Sequence, residues 1–196
     1  MTFIQKKIWY YEKPGESNTR DSAGFAIERA KELGIKTIVV ASTTGKTARV
    51  FFEAMKGSGI ELVVVSHVFG FARPGEWEFS GETATELRKQ GVRIVTGTHA
   101  FSGIERAFSR SPKVGGGSRS EAVAEALRRI VANGLKVAAE CVMIATDQGV
   151  LDINNEVVAV GGTGSGADTV CVIRPAYSGS LFDLQVREIV AMPRVR

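Results

Sequence analysis

The chain has 196 residues, of which 44% are hydrophobic and 23% charged, with a net charge of +4. That is enough chain for a sizeable core and points to a single domain over residues 1–196. The basic residues are scattered rather than gathered into the dense stripe that nucleic acid requires, and no apolar run is long enough for a bilayer span or a signal peptide. The expectations are therefore no nucleic acid, no membrane and, by default, a cytoplasmic location. A small anionic ligand is compatible with the charge. A homo-oligomer is compatible too, although no seam is readable.

Residues 8–11 read as an edge strand. Asn18 and Thr19 precede a helical pattern over 21–33 that stops at Gly34, and capping is their default role. Residues 36–41, 61–66 and 93–96 are short β-branched runs of the kind buried in parallel sheets. Helical patterns over 47–56 and 81–90 lie between them and stop at Gly57 and Gly91. Gly115-Gly116-Gly117 reads as a flexible loop. Ser118 and Glu121 then have capping-box spacing, in which each side chain satisfies the other's free amide, and open a helix to about residue 131. A very apolar helix over 135–146 is expected to be buried. Strands over 157–160 and 169–173 are joined by a glycine-rich loop, and a last strand covers 185–192. This order predicts a three-layer α/β fold: a mostly parallel central sheet, helices on both faces, and an antiparallel C-terminal part.

Residues 39–48 read VVASTTGKTA and end like a nucleotide-binding phosphate loop. The first glycine of that motif falls at residue 40, which is Val40, and the next strand ends without an acid for magnesium. A triphosphate site is therefore disfavoured. The simpler chemistry remains. Free amides and the dipole at a helix start favour an anion, with hydroxyls from Ser42, Thr43, Thr44 and Thr47, charge from Lys46, and close backbone approach at Gly45. A monophosphate cradle and a plain helix cap both fit these residues.

Residues 162–167, GTGSGA, match a dinucleotide fingerprint in letters only, because a strand follows where a helix is needed. Such a loop still offers exposed amides, and its plain reading is a flexible β-hairpin. In an open parallel sheet, ligands bind beyond the carboxyl ends of the strands. That rim receives Ser42 to Thr44, His67, and Thr96, Gly97, Thr98 and His99, and so both histidines of the chain. No acid or cysteine near them has metal-ligand spacing, so no metal is expected. Cys141 and Cys171 sit in apolar stretches and read as buried free thiols. The long connection 68–77 carries Phe69, Phe71, Trp77 and Arg73, which suit either an aromatic ligand ring or the loop's own packing.

The stretch 38–48, IVVASTTGKTA, resembles the carboxy-terminal α/β domain of pyruvate kinase, where a hydroxyl-rich turn after a strand receives a phosphate of a sugar bisphosphate in some members. The chain is similar, more closely, to stand-alone archaeal and bacterial proteins of the pyruvate kinase α/β-domain type. The matching pieces are KPGESNT at 13–19, ASTTG at 41–45, TGTHA at 96–100, SGIE at 102–105 and GGTGSGAD at 161–168, spread over nearly the whole chain. The kinase active site lies in a (β/α)8 barrel for which this chain leaves no room, so pyruvate kinase activity is not expected of it. What the resemblance implies instead is binding of flavin mononucleotide (FMN). Ser42 to Thr47 would then hold the phosphate, and Thr96 to His99 with Gly162, Thr163 and Gly164 would flank the ribityl chain and ring. Alternative expectations are a flavin-dependent oxidoreductase, with His67 or His99 handling a proton, and a sugar-phosphate-sensing regulatory module.

Overall fold

A computed structural model describes residues 3–195. Its centre is a seven-stranded sheet, built from β1 (Trp9–Tyr11), β2 (Thr37–Ala41), β3 (Glu61–Ser66), β4 (Arg93–Thr96), β5 (Val157–Gly161), β6 (Thr169–Arg174) and β7 (Gln185–Pro193) in the order β1-β7-β6-β5-β2-β3-β4. Strands β2, β3, β4 and β5 are mutually parallel, whereas β6 runs antiparallel to both β5 and β7. The predicted edge strand is β1, paired in parallel with β7. The helices are α1 (Thr19–Leu33), α2 (Lys46–Met55), α3 (Gly81–Lys89), α4 (Glu105–Arg110), α5 (Arg119–Ile130) and α6 (Asn133–Asp147), with short 3-10 turns at Glu16–Asn18 and Ser178–Asp183.

Strand side chains alternate between two cores because successive residues point to opposite faces. Ile38, Val40, Leu62, Val64, Val158 and Val160 pack on one face with Ala23, Ala26 and Ala30 of α1, Phe51 of α2 and Leu87 of α3. Val39, Val63, Val65, Val95, Val157 and Ala159 pack on the other with α6, contributed mainly by Leu135, Ala138, Val142 and Ala145. The expected burial of the apolar helix is thus realised, and it carries Lys136 and Glu140 into the interior with it.

The chain leaves β2 for β3 on one side and returns as β5 on the other side of β2. This reversal of strand order opens a crevice at the carboxyl ends of β2 and β5. One local expectation changes. Ser118 Oγ does accept from the Glu121 amide at 3.1 Å, but the carboxylate that reaches back is that of Glu105, which takes the Ser118 hydroxyl and the Ser120 amide. Glu105 opens α4, a short helix without readable periodicity in the sequence.

Candidate functional site

A cavity of about 830 Å³ fills the crevice. Its walls include Ala41 to Thr44, Lys46 and Thr47 after β2, Ser66 and His67 after β3, His99 after β4, and Gly162 and Gly164 to Gly166 after β5. The start of α1 closes one side with Thr19 and Arg20, beside Glu16 and Ser17 of the 3-10 turn before it. Of the residues singled out in the sequence, Ser42, Thr43, Thr44, Lys46, Thr47, His67, His99, Gly162 and Gly164 reach the wall. Gly45, Thr96, Gly97, Thr98 and Thr163 lie behind or beside it.

The turn after β2 is shaped for an anion. Ser42 Oγ is used internally, accepting from the Ala48 amide at 3.2 Å. The amides of Thr43, Thr44, Gly45, Lys46 and Thr47 have no acceptor among the described residues. They stand at the positive end of α2, a ten-residue helix, with Lys46 exposed beside them. Gly45 has a different reason to be glycine from the one expected. Its φ is +97°, and an added Cβ would come within 2.9 Å of Thr83 Cγ2 and 3.1 Å of Phe79 Cε1. It lets α3 approach the turn rather than a ligand approach the backbone.

The glycine-rich loop is likewise locked by protein contacts and is not a free hairpin. A Cβ at Gly161 would strike the Gly134 carbonyl, and one at Gly166 would lie 2.5 Å from Glu16 Cα. Buried Asp168 ties the loop down, accepting from the Gly15 amide at 2.9 Å and the Thr163 amide at 3.1 Å. Thr19 Oγ1 donates to the Glu16 carbonyl and accepts from the Ala167 amide. Gly164 alone of these glycines has open space around it.

The opposite wall is aromatic and titratable. The rings of Phe71 and His99 stack, with centroids 4.8 Å apart and planes 13° apart. His67 lies 4.1 Å from Phe71 and 5.2 Å from His99, and Arg106 covers Phe71 at 4.8 Å. His67 Nδ1 is hydrogen-bonded to Glu78 at 2.9 Å. The other aromatic residues of the long loop serve its own packing. Phe69 stacks on Trp77, Trp77 on Phe79, and the Trp77 indole donates to Ser66 Oγ. Arg73 points away and pairs with Glu76.

The same wall includes a buried pair that the sequence did not single out, Lys136 and Glu140. Lys136 and Glu140 are 4% and 5% exposed, and Lys136 Nζ lies 2.5 Å from Glu140 Oε2. Glu140 Oε1 accepts from the Phe101 amide at 3.0 Å, and Oε2 faces His99 Nδ1 at 3.7 Å. Burial by itself would raise the Glu140 pKa, but His99, Lys136 and the Phe101 amide together hold it down at about 2. The i,i+4 spacing of Lys136 and Glu140 puts both side chains on one face of α6. Cys141 also reaches the cavity, but burial pushes its thiol up to about 12, so it is no nucleophile at neutral pH. Among the described residues no three His, Cys, Asp or Glu side chains converge as a metal site, and no helix is long and apolar enough to cross a membrane.

Residues 21–173 match the family described as pyruvate kinase, alpha/beta domain. The chain belongs to this family. Its seven-stranded, mostly parallel sheet with helices on both faces is that domain's α/β fold. Among solved structures it is similar to a pyruvate kinase from Cryptosporidium parvum, at 16% identity and a TM-score of 0.42, covering 81% of this chain and 23% of that one. The same organism's pyruvate kinase in complex with ADP gives 15% identity and a TM-score of 0.41, over 81% of this chain and 24% of that one. An SAH-bound methyltransferase from Podospora anserina gives 15% identity and a TM-score of 0.29, over 69% of this chain and 50% of that one. The chain thus spans about a quarter of the length of the pyruvate kinases it matches.

Proposed function

We propose that this α/β domain binds a phosphorylated cofactor of the FMN class in the cavity at the carboxyl ends of β2 and β5. The observation that carries the reading is the unlikeness of the two walls of one cavity. One wall is a turn of unengaged amides and hydroxyls at the positive end of α2. The other is a stacked Phe71–His99 pair with His67 beside it. A molecule with a phosphate at one end and a flat ring at the other matches both. The volume of about 830 Å³ lies within the usual range for cofactor sites.

In this reading Thr43, Thr44, Lys46 and Thr47 hold the phosphate, Gly162 and Gly164 border the chain between, and Phe71 with His99 faces the ring. A bound flavin would supply hydride and electron transfer chemistry. The residues here would bind it, orient it and screen it from water. The described residues form a single α/β sheet with its helices, without the barrel that carries pyruvate kinase chemistry, and the proposal assigns no such activity to them. The test is to purify the protein without added ligand, record its visible spectrum and identify what heat releases. FMN in that fraction, or micromolar binding of added FMN, supports the reading. A colourless protein that ignores added FMN overturns it. Thr44→Val and Lys46→Ala should each weaken FMN about tenfold, the loss expected for one hydrogen bond to a charged group.

A second reading, a flavin-dependent oxidoreductase, is favoured by the His67–Glu78 hydrogen bond, because a carboxylate-oriented imidazole is suited to proton transfer. Turnover of bound flavin with added reductants separates it from simple binding.

A further inference from the structure

Two buried nitrogens of cavity-lining residues lack a hydrogen-bond partner among the described residues, Arg128 Nε and His99 Nε2, and the Arg128 guanidinium is already held by Glu125 through Nη1. His99 is 12% exposed, and its Nε2 is buried without a hydrogen bond among the described residues. Leaving such an atom unsatisfied forfeits its hydration without replacement, so native structures rarely do it without a reason. The ring is held in place from several sides. Phe71 stacks on its face, the His67 ring lies 5.2 Å away, and Nδ1 is turned to Glu140.

The groups around the ring decide what each nitrogen meets. The Glu140 carboxylate, which pairs with Lys136 at 2.5 Å, also faces His99 Nδ1 at 3.7 Å and offers it an acceptor. Glu78 is engaged by His67, and Arg106 adds a positive charge on the far face of Phe71. With its hydrogen on Nδ1 toward Glu140, the ring presents a bare lone pair at Nε2. A lone pair repels phosphate oxygen, so the phosphate belongs at the α2 end and a donor-bearing part of the ligand belongs here.

We propose that His99 is a specificity-determining residue of this site, its Nε2 accepting a hydrogen bond from an N–H or O–H group on the ring portion of the bound ligand. The inference rests on the reading of the cavity as a site for a phosphorylated ring compound. Glu140 and Lys136 are positioning residues that act through His99.

The chain has only two histidines, so nitrogen NMR of a sample labelled at histidine resolves both rings, with His67→Asn to assign them. At about pH 8 the free protein should show His99 with a pyrrole-type Nδ1 and a pyridine-type Nε2. The opposite tautomer, or a doubly protonated ring, overturns the proposal. On adding FMN, the Nε2 signal should move toward its hydrogen-bonded value. His99→Phe, which keeps the stack, should weaken FMN about tenfold and leave inorganic phosphate binding unchanged, while His99→Gln, which keeps an acceptor, should recover part of the loss. FMN binding with Nε2 unmoved, or with full affinity in His99→Phe, overturns the contact. A wild-type protein that ignores FMN overturns the flavin reading, and the tautomer measurement then passes or fails His99 by itself.

Discussion

Residues 42–47, which form one end of the cavity, are consecutive in the chain, whereas His67, Phe71, His99, Arg106 and Glu140 at the other end come from separate segments. The first end needs only a strand, a turn and a helix start in order to exist. The second requires β3, β4, α4 and α6 to be packed before any of its contacts form. Damage should therefore spread differently. Changes at the consecutive end should act mainly on binding, and changes behind the assembled end should act on the fold as well.

The sharpest test of that difference is Lys136→Met. It strands Glu140 as an unpaired buried carboxylate and should cost about 3–5 kcal/mol in urea or thermal unfolding. Lys46→Ala, at the exposed consecutive end, should stay within about 0.5 kcal/mol of wild type. Equal melting of the two variants would dissolve the distinction.

Acid offers the next largest effect. The folded pKa of Glu140 is lowered from 4.5 to about 2. A lowered carboxylate contributes stability above its unfolded pKa and loses it as pH falls through the folded value. The contribution is on the order of 3 kcal/mol. It should be intact at neutral pH and disappear between 4.5 and about 2. Glu140→Gln should flatten that part of the stability profile; an unchanged profile would place the acid-sensitive group elsewhere.

Gly45→Ala and Gly164→Ala come next and form a pair. Both positions have positive φ, but only Gly45 is crowded, by Thr83 and Phe79. Gly45→Ala should cost about 2–4 kcal/mol from backbone conformation and overpacking together. Gly164→Ala should cost about 1–2 kcal/mol, because only the backbone conformation is penalised. Melting curves of the two variants decide whether the consecutive end is held by its α3 neighbours. The smallest effect expected is that of Phe71→Ala on stability, under about 1 kcal/mol since the ring is part-exposed, while its loss should weaken FMN several-fold by removing the stack. Titration monitored by flavin fluorescence measures it.

Much of the fold was legible because hydrophobic periodicity is a local signal. The runs at 36–41, 61–66 and 93–96 became β2, β3 and β4 within a residue, and the apolar helix became α6. The capping pattern at Ser118 was half legible. Its local bond forms, but Glu105, 13 positions earlier, supplies the carboxylate, and no spacing rule points to it. The glycines were visible as letters, but their reasons were not. Gly45, Gly161 and Gly166 are fixed by what stands opposite them, at Thr83, Gly134 and Glu16.

The sequence by itself determined the parallel strands, the rim at which their connections gather, and the amide-rich turn after β2. Each of these follows from residues within a few positions of one another. Only the tertiary structure decided that His99 is stacked on Phe71, that Lys136 and Glu140 are buried beside it, and that Nε2 is left without a partner among the described residues. Period and composition tell a segment which of its faces turns inward. They do not say which side chain, 39 residues further along, it will meet there.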